Sequence, residues 1–152
     1  MTQPLKRHKS LQPWSRDHHH GLLLCWKIRK GFSIGITPER IKKYTDWFWK
    51  HHLIPHFDTE ERYLFPILGN DHPLVKQALE EHRQLKILFE KNDAISETLS
   101  KIESVLNNHI RFEERVLFQA IQEVATPDEI KLLESVHQEL EVNEVWEDEY
   151  WN

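Results

Sequence analysis

Apolar residues in this chain recur three or four positions apart, and no stretch alternates polar and apolar residues as a half-buried strand would. Glycine, which weakens a helix interior, occurs only four times in 152 residues. Residues spaced in this way line one side of a helix, so each helix has a face to bury. The sequence therefore predicts an all-α protein.

Capping residues and helix breakers divide this pattern into four long helices and a short fifth one. Short connections between long helices are typical of neighbours that run in opposite directions. We therefore predict an antiparallel up-down four-helix bundle with a short additional C-terminal helix. The helices are expected at about residues 13–30, 38–68, 71–91, 94–124 and 126–140.

Particular residues mark these boundaries. Gly31 is expected to stop the first helix, and Thr37 to cap the start of the second, which Gly69 ends. Residues 126–129 read Thr-Pro-Asp-Glu, a capping box that opens the fifth helix. Pro55 lies inside the second helix, which is expected to continue through it with a bend, because proline lacks the backbone N–H.

The predicted bundle occupies residues 13–140, between two segments of different composition. Residues 1–12 are predicted to be a flexible N-terminus. Residues 141–152 form an acidic tail that contains Trp146, Tyr150 and Trp151. Two alternatives stay open for this tail: it lies over the bundle, or it engages a partner.

Composition excludes several classes of protein. No apolar run approaches the roughly 20 residues that cross a bilayer, so no membrane partner is expected. Basic residues exceed acidic ones over the first fifty positions, but they are spread without an arginine-rich cluster, so no nucleic-acid partner is expected. Cys25 is the only cysteine, which excludes an internal disulfide and a thiolate metal cluster. A cytoplasmic location is the expectation.

One ten-residue pattern occurs twice, 53 residues apart. It is His-x-x-x-Glu-Glu-Arg-x-Leu-Phe, with six matched positions, at residues 56–65 of the second helix and 109–118 of the fourth. Residues four apart lie on one helix face, about 6 Å apart along the axis. His56 and Glu60, and likewise His109 and Glu113, can therefore reach the same metal ion or neighbouring ions.

Apolar residues at helical spacing indicate which way these pairs face. His56 and Glu60 share a stripe with Tyr63 and Ile67. In the fourth helix, His109 and Glu113 share one with Val105, Val116 and Ala120. Both pairs are therefore predicted to point into the bundle.

Each of the two remaining helices offers an inward histidine after an acidic residue. His82 follows Glu81 and shares a stripe with apolar residues of the third helix. In the first helix His18 follows Asp17, and His19 is its rival because apolar residues follow it at helical spacing too. The stripe that contains Trp14, Leu22 and Cys25 favours His18.

Together these residues predict a buried site for two metal ions. Two buried carboxylates are costly unless they are paired or bind a cation, and two carboxylates that bridge two divalent ions meet that condition. Nitrogen and oxygen ligands without sulfur suit iron or manganese, although zinc and copper bind imidazole as well. The predicted ligands are His18, His56, Glu60, His82, His109 and Glu113.

At these residues the chain resembles the hemerythrin-like family, also called the HHE cation-binding domain. The resemblance covers nearly the whole chain, from Trp14 through the fourth helix. It is carried by Asp17-His18, His56 through Glu61, Glu81-His82, and His109 through Glu114. It implies a four-helix bundle with two non-haem iron ions joined by an oxo or carboxylate bridge; manganese and zinc are alternatives.

The sequence departs from the oxygen-carrying members of that family. Those proteins place two histidines four apart on the third helix, whereas Ala78 and Lys86 flank His82 here. The fourth helix has His109-x-x-x-Glu113 in place of a longer histidine–aspartate spacing. The resemblance therefore favours redox chemistry, sensing or iron handling over reversible oxygen carriage.

Three hypotheses about function follow. In the first, the protein senses or handles oxygen, nitric oxide or iron, with a small diatomic molecule or peroxide as its ligand. In the second, it is a di-iron enzyme that reduces peroxide or nitric oxide. In the third, it is a helical interaction module that works through its C-terminal tail. The oligomeric state is left open.

Three further residues near the predicted site have alternative roles. His52 is expected to cap the site one turn away; the alternatives are a further metal ligand and a hydrogen bond that supports a ligand. Tyr63 either gates the site, donates a hydrogen bond to a bound oxygen species, or packs in the core. Cys25 is expected to be a small apolar filler, and a redox-active thiol is the alternative.

Overall fold

The computed structural model describes residues 6–136 and 146–152. Within these ranges the chain is all-helical, as predicted. No helix in the described ranges is long and apolar enough to cross a membrane. A 3₁₀ turn at Lys9–Leu11 precedes five helices: α1 (Gln12–Ser33), α2 (residues 38–68), α3 (Pro73–Glu90), α4 (residues 95–124) and α5 (Pro127–Val136).

Helices α2 and α4 are continuous but contain π turns, in which each N–H bonds to the carbonyl five residues back. The π turns are Trp49–Leu53 and Glu60–Leu64 in α2, and Glu113–Leu117 in α4. The last two occupy the same place in the repeated sequence, and each begins at a predicted metal ligand. The α-helical parts are Pro38–Phe48, Ile54–Thr59 and Phe65–Leu68 in α2, and Ile95–Phe112 and Phe118–Val124 in α4.

These π turns correct the predicted apolar stripes. Leu64 and Leu117 are fully buried, whereas Tyr63 is half-buried and Val116 is 43% exposed. A π turn contains an extra residue, so every side chain after it moves around the helix by about one position. The prediction that Val116 follows the ligands inward was wrong for this reason, whereas Tyr63 is partly buried against apolar core residues.

Helix α2 continues through Pro55, as predicted. The π turn Trp49–Leu53 ends just before this proline, which stands in the first turn of the following α-helical part. Pro66 has the same position after the second π turn. A proline inside a helix removes one backbone hydrogen bond, and at both positions an irregular π turn ends just before it.

Gly31 does not end α1, which continues to Ser33. The backbone turns at Gly35, whose φ of +78° favours glycine. Gly31 is required for close packing. A Cβ atom there would lie 2.7 Å from Ile41 Cδ1 and 2.8 Å from Tyr150 Cε1.

The described part of the C-terminal tail lies on α1 and α2. Tyr150 is buried, and the Trp146 ring packs 5.4 Å from the Trp47 ring. Arg40 donates two hydrogen bonds to the Asp148 carboxylate, at 2.8 and 2.6 Å. Of the two alternatives for the tail, the observed contacts are those within the chain; residues 141–145 lie outside the described ranges.

Residues 6–12, predicted as part of a flexible N-terminus, also make contacts. Leu11 is buried and packs in one apolar cluster with Leu133 of α5. Arg7 donates to Gln122 Oε1 at 3.0 Å and lies 3.2 Å from Glu114 Oε2. This segment therefore fastens the start of α1 to α4 and α5.

The capping box at the start of α5 is confirmed. The Glu129 N–H donates to Thr126 Oγ1 at 3.2 Å, and the Thr126 N–H donates to Glu129 Oε1 at 2.9 Å. The helix is described as far as Val136, so its predicted end at residue 140 lies outside the described ranges.

Two apolar clusters fill the interior. Both α1 and α3 begin in the small cluster and run toward the large one, whereas α2 and α4 run the opposite way. On all four helices the predicted metal ligands lie between the two clusters. The small cluster includes Leu11, Trp14, Leu64, Phe65, Val75, Leu117, Phe118 and Leu133; the large cluster includes Leu24, Ile28, Ile41, Tyr44, Phe48, Leu85, Phe89, Ile102 and Tyr150.

Gly31→Ala is expected to destabilise the protein. Overpacking costs about 1–3 kcal/mol, which exceeds the gain in helix propensity of up to about 1 kcal/mol. Gly21→Ala is the matched control, because its Cβ meets only the flexible end of Ile110. Thermal unfolding of both variants checks this; an equal melting temperature would contradict the packing role of Gly31.

Candidate metal centre

The structure brings the six predicted ligands into one buried layer. The Glu60 and Glu113 side chains have no exposed surface, and the four histidines are at most 5% exposed. Of the two candidate ligands in the first helix, His18 is buried and points inward, whereas His19 is exposed.

Three imidazoles converge on Glu60. His56 Nε2 lies 3.2 Å from Glu60 Oε2, and His18 Nε2 lies 3.5 Å from the same oxygen. His82 Nε2 lies 3.2 Å from the other oxygen, Oε1. The two oxygens of this carboxylate therefore face different histidines.

Glu113 has an equivalent arrangement. Its Oε1 atom lies 2.9 Å from His18 Nε2 and 3.1 Å from His109 Nε2. Its Oε2 atom lies 3.9 Å from His82 Nε2. Glu113 therefore also connects histidines of different helices.

These atoms form two groups that could each hold a metal ion. The ligand atoms of each group lie within 4.8 Å of one another, and both groups contain Glu60 and Glu113. Ligands about 2.1 Å from an ion would be about 3.0–3.4 Å apart around it, close to the distances above. One group adds His18 and His56, and the other adds His82 and His109.

Several inward atoms of these groups have no hydrogen-bond partner among the described residues. They include both oxygens of Glu60, one oxygen of Glu113, and the Nε2 atoms of His56, His82 and His109. Unsatisfied buried polar atoms are costly. Their convergence on one space is the observation that a bound cation would explain.

On its outer side, each imidazole donates its Nδ1–H to a carboxylate. His18 donates to Glu114 at 2.7 Å, and His56 donates to Asp17 at 3.1 Å. These bonds fix each ring so that Nε2 faces the centre, an arrangement common around protein metal sites. His82 donates to Glu61 at 2.8 Å, and His109 donates to Glu81 at 2.7 Å.

The four outer bonds form a closed ring through the helices. Asp17 of α1 holds the histidine of α2, and Glu61 of α2 holds that of α3. Glu81 of α3 holds the histidine of α4, and Glu114 of α4 holds that of α1. Each of the four helices thus carries one of these histidines and one carboxylate, which accepts the hydrogen bond of a histidine from another helix.

This ring explains most of the repeated sequence. In each copy the first glutamate faces the centre, and the second holds the histidine of a neighbouring helix. The final phenylalanine packs on that same histidine: Phe118 stacks on His18 at 5.0 Å, and Phe65 lies 5.5 Å from His82. Glu61 and Glu114, which directly follow the two inward glutamates in the sequence, therefore orient ligands of neighbouring helices.

The sequence did not predict that four acidic residues orient the histidines from their outer side. These residues are Asp17, Glu61, Glu81 and Glu114. Each lies next to a predicted ligand in the sequence, which was the available signal. Which histidine each carboxylate binds depends on which helices are neighbours in the fold. Adjacency in the sequence suggests the wrong partner. Asp17 precedes His18 but holds His56.

In the metal-free chain the carboxylates favour protonated imidazoles. Burial lowers the pKa of His56, but Glu60 and Asp17 outweigh it and raise that pKa to about 9. Burial likewise lowers the pKa of His109, and Glu113 and Glu81 raise it to about 10. Burial raises the pKa of Glu60, but the surrounding histidines bring it well below its usual range.

Three further residues that were predicted near the site lie around the centre rather than in it: Tyr63, Cys25 and His52. Tyr63 packs against the small cluster. Cys25 is buried in the large cluster, and burial raises the pKa of its thiol to about 12, which fits the apolar filler. His52 is half-buried and stacks on Phe48 at 4.8 Å.

Comparison of the chain with protein-family models, with curated proteins and with solved structures finds no match. The interpretation of this site therefore rests on its own geometry.

Removing one outer carboxylate should weaken metal binding without removing a ligand. Glu81→Gln is expected to lower metal affinity by about 10–100-fold, because a neutral amide oxygen holds the His109 Nδ1–H less strongly than the carboxylate does. Glu80→Gln is the matched control, since the adjacent Glu80 pairs with Arg83 at the surface. Competition with a chromophoric chelator measures both affinities, and equal values would count against the outer role.

Metal binding should release protons at neutral pH. The imidazole pKa values of the metal-free chain are raised, whereas a metal ion binds the neutral ring, so the ion must displace protons. Affinity is therefore expected to fall as pH decreases from 9 to 6. Titration calorimetry in buffers of different ionisation enthalpy counts the protons; no release would contradict imidazole ligation.

Proposed function

We propose that this chain is a hemerythrin-like, non-haem di-iron protein that senses or handles oxygen, nitric oxide or iron. Its four long helices would form an antiparallel up-down bundle, with α5 packed at one end. The observation that carries the proposal is the pair of buried four-residue groups that share Glu60 and Glu113. A shared carboxylate is what a bridge between two ions requires.

Charge supports two divalent ions. Fully protonated, the four histidines carry four positive charges opposite the buried carboxylates, and their pKa values are all raised. Two divalent ions supply the same charge. Replacing four protons by two such ions therefore leaves the balance of this buried layer unchanged, which avoids the cost of an unpaired buried charge.

The donor atoms of the two groups fit iron and disfavour ions that prefer oxygen ligands alone. Each group offers two imidazole nitrogens and carboxylate oxygens, and no sulfur, a set that suits iron or manganese. Calcium and magnesium prefer oxygen ligands. Zinc accepts this set as well, and metal analysis distinguishes it from iron.

The number of ligands supports a reactive centre. Each group contains four protein residues, two of them shared, which leaves positions free on an ion that prefers six ligands. When bound, the iron ions would supply one-electron redox chemistry and affinity for small diatomic ligands. The chain's own residues orient the imidazoles and exclude water, as Phe57 does by stacking on His82 at 3.9 Å.

The other two hypotheses have less support. Reduction of peroxide or nitric oxide would use the same centre, and among the residues that the structure describes, no group beyond it favours turnover. An interaction module would need the tail aromatics to be accessible. Trp146 and Tyr150 instead pack against Tyr44, at 5.8 and 6.1 Å.

Metal content of ligand variants tests the proposal. After anaerobic loading with ferrous iron, the wild-type chain is expected to hold about two ions, as two-metal sites do. His82→Ala should lose an ion from one group, whereas Glu60→Ala should impair both groups. His19→Ala, an exposed neighbour of His18, is the control and should keep the wild-type content.

Absorption spectra complete this test. A charge-transfer band after exposure to oxygen or azide would support a di-iron centre with free positions. Absence of iron after loading would refute the proposal. Catalytic loss of peroxide above that of free iron, abolished in Glu60→Ala, would instead favour the enzyme hypothesis.

A further inference from the structure

A small cavity lies beside the centre, on the side of His56. Its volume is about 30 Å³, enough for about two water molecules. Most of its polar lining is imidazole, which is unusual for a cavity wall. The polar lining residues are Asp17, His20, His51, His52 and His56.

The inner end of this cavity belongs to the centre. His56 faces Glu60 through its Nε2 atom and Asp17 through its Nδ1 atom, at 3.2 and 3.1 Å. The Asp17 side chain is 35% exposed, whereas His56 is almost completely buried. The Asp17–His56 pair therefore connects the buried layer of ligands with the protein surface.

The outer imidazoles are held in place by aromatic rings. Trp47 lies 5.5 Å from the His51 ring and 5.2 Å from the His52 ring. Both histidines belong to the π turn Trp49–Leu53, which places consecutive residues on the same wall of the cavity. His20, from the tract of three histidines in α1, lines the cavity from the other side.

We propose that this cavity is the entry site through which a divalent transition-metal ion reaches the buried centre. This inference rests on the proposed function. Imidazole nitrogens and a carboxylate oxygen are donors that such ions accept. Successive weak contacts with His20, His51 and His52 replace part of the ion's hydration before Asp17 and His56 pass it inward.

The cavity is a passage rather than a resident site. Within the described part of the chain, the compact ligand groups are the two at the centre, and neither contains His20, His51 or His52. An entry site should bind weakly, because a tight site would retain the ion outside the centre.

A wider groove between α2 and α3 is less suited to this role. Its volume is about 360 Å³, and it reaches the Glu61–His82 pair. Its rim, however, contains the cations Arg83 and Lys86, and His82 is its one histidine. The carboxylates of Asp58, Glu61 and Glu90 also line the groove, so it differs from the cavity in its donors: it offers one imidazole where the cavity offers four.

Cobalt(II) uptake by the metal-free, full-length chain tests this inference. Stopped-flow absorbance gives the rate of uptake, and titration gives the final content. His20→Gln and the double variant H51Q/H52Q are expected to slow uptake severalfold while the final content and the spectrum stay as in wild type. His19→Gln is the matched control, since His19 is adjacent to His20 but does not line the cavity.

The outcomes separate the two proposals. Unchanged or faster uptake in the cavity variants, with full final content, would overturn the entry site and leave the metal centre intact. No cobalt binding by wild type and no iron after loading would refute the centre itself. Because His20 is exposed, His20→Gln keeps the test decisive even if the double variant fails to fold.

Discussion

The burial of two carboxylates, Glu60 and Glu113, is the constraint on which the rest of this structure depends. Neither side chain has exposed surface, so each needs a compensating positive charge at short range. The chain supplies four imidazoles, each fixed by an outer carboxylate. Two apolar clusters above and below this layer keep water away, which strengthens the electrostatic interactions within it.

The π turns connect this constraint to the helical packing. A regular helix that places His56 and Glu60 inward would next place Tyr63 inward. The extra residue in Glu60–Leu64 instead brings Leu64 and Phe65 into the small cluster. The equivalent π turn in α4 does the same for Leu117 and Phe118. Each π turn therefore lets one helix contribute both predicted metal ligands and residues of the apolar core.

The helical class and most boundaries could be predicted from apolar spacing and capping residues, and the structure places the six predicted ligands together. Three features could not be predicted. Gly31 reads as a helix stop because its partners, Ile41 and Tyr150, are distant in sequence. The π turns change the period that the prediction assumes. The pairing of outer carboxylates with histidines depends on which helices are neighbours.

The ring of four histidine–carboxylate bonds has a consequence for how the helices are aligned. Each helix takes part in two of these bonds, once as donor and once as acceptor. Sliding any one helix along its axis by a turn would break both and leave charged groups buried without partners. Apolar contacts alone tolerate such slippage, whereas buried polar contacts penalise it. The ring of hydrogen bonds therefore fixes a single register of the helices, whereas apolar contacts alone are compatible with many.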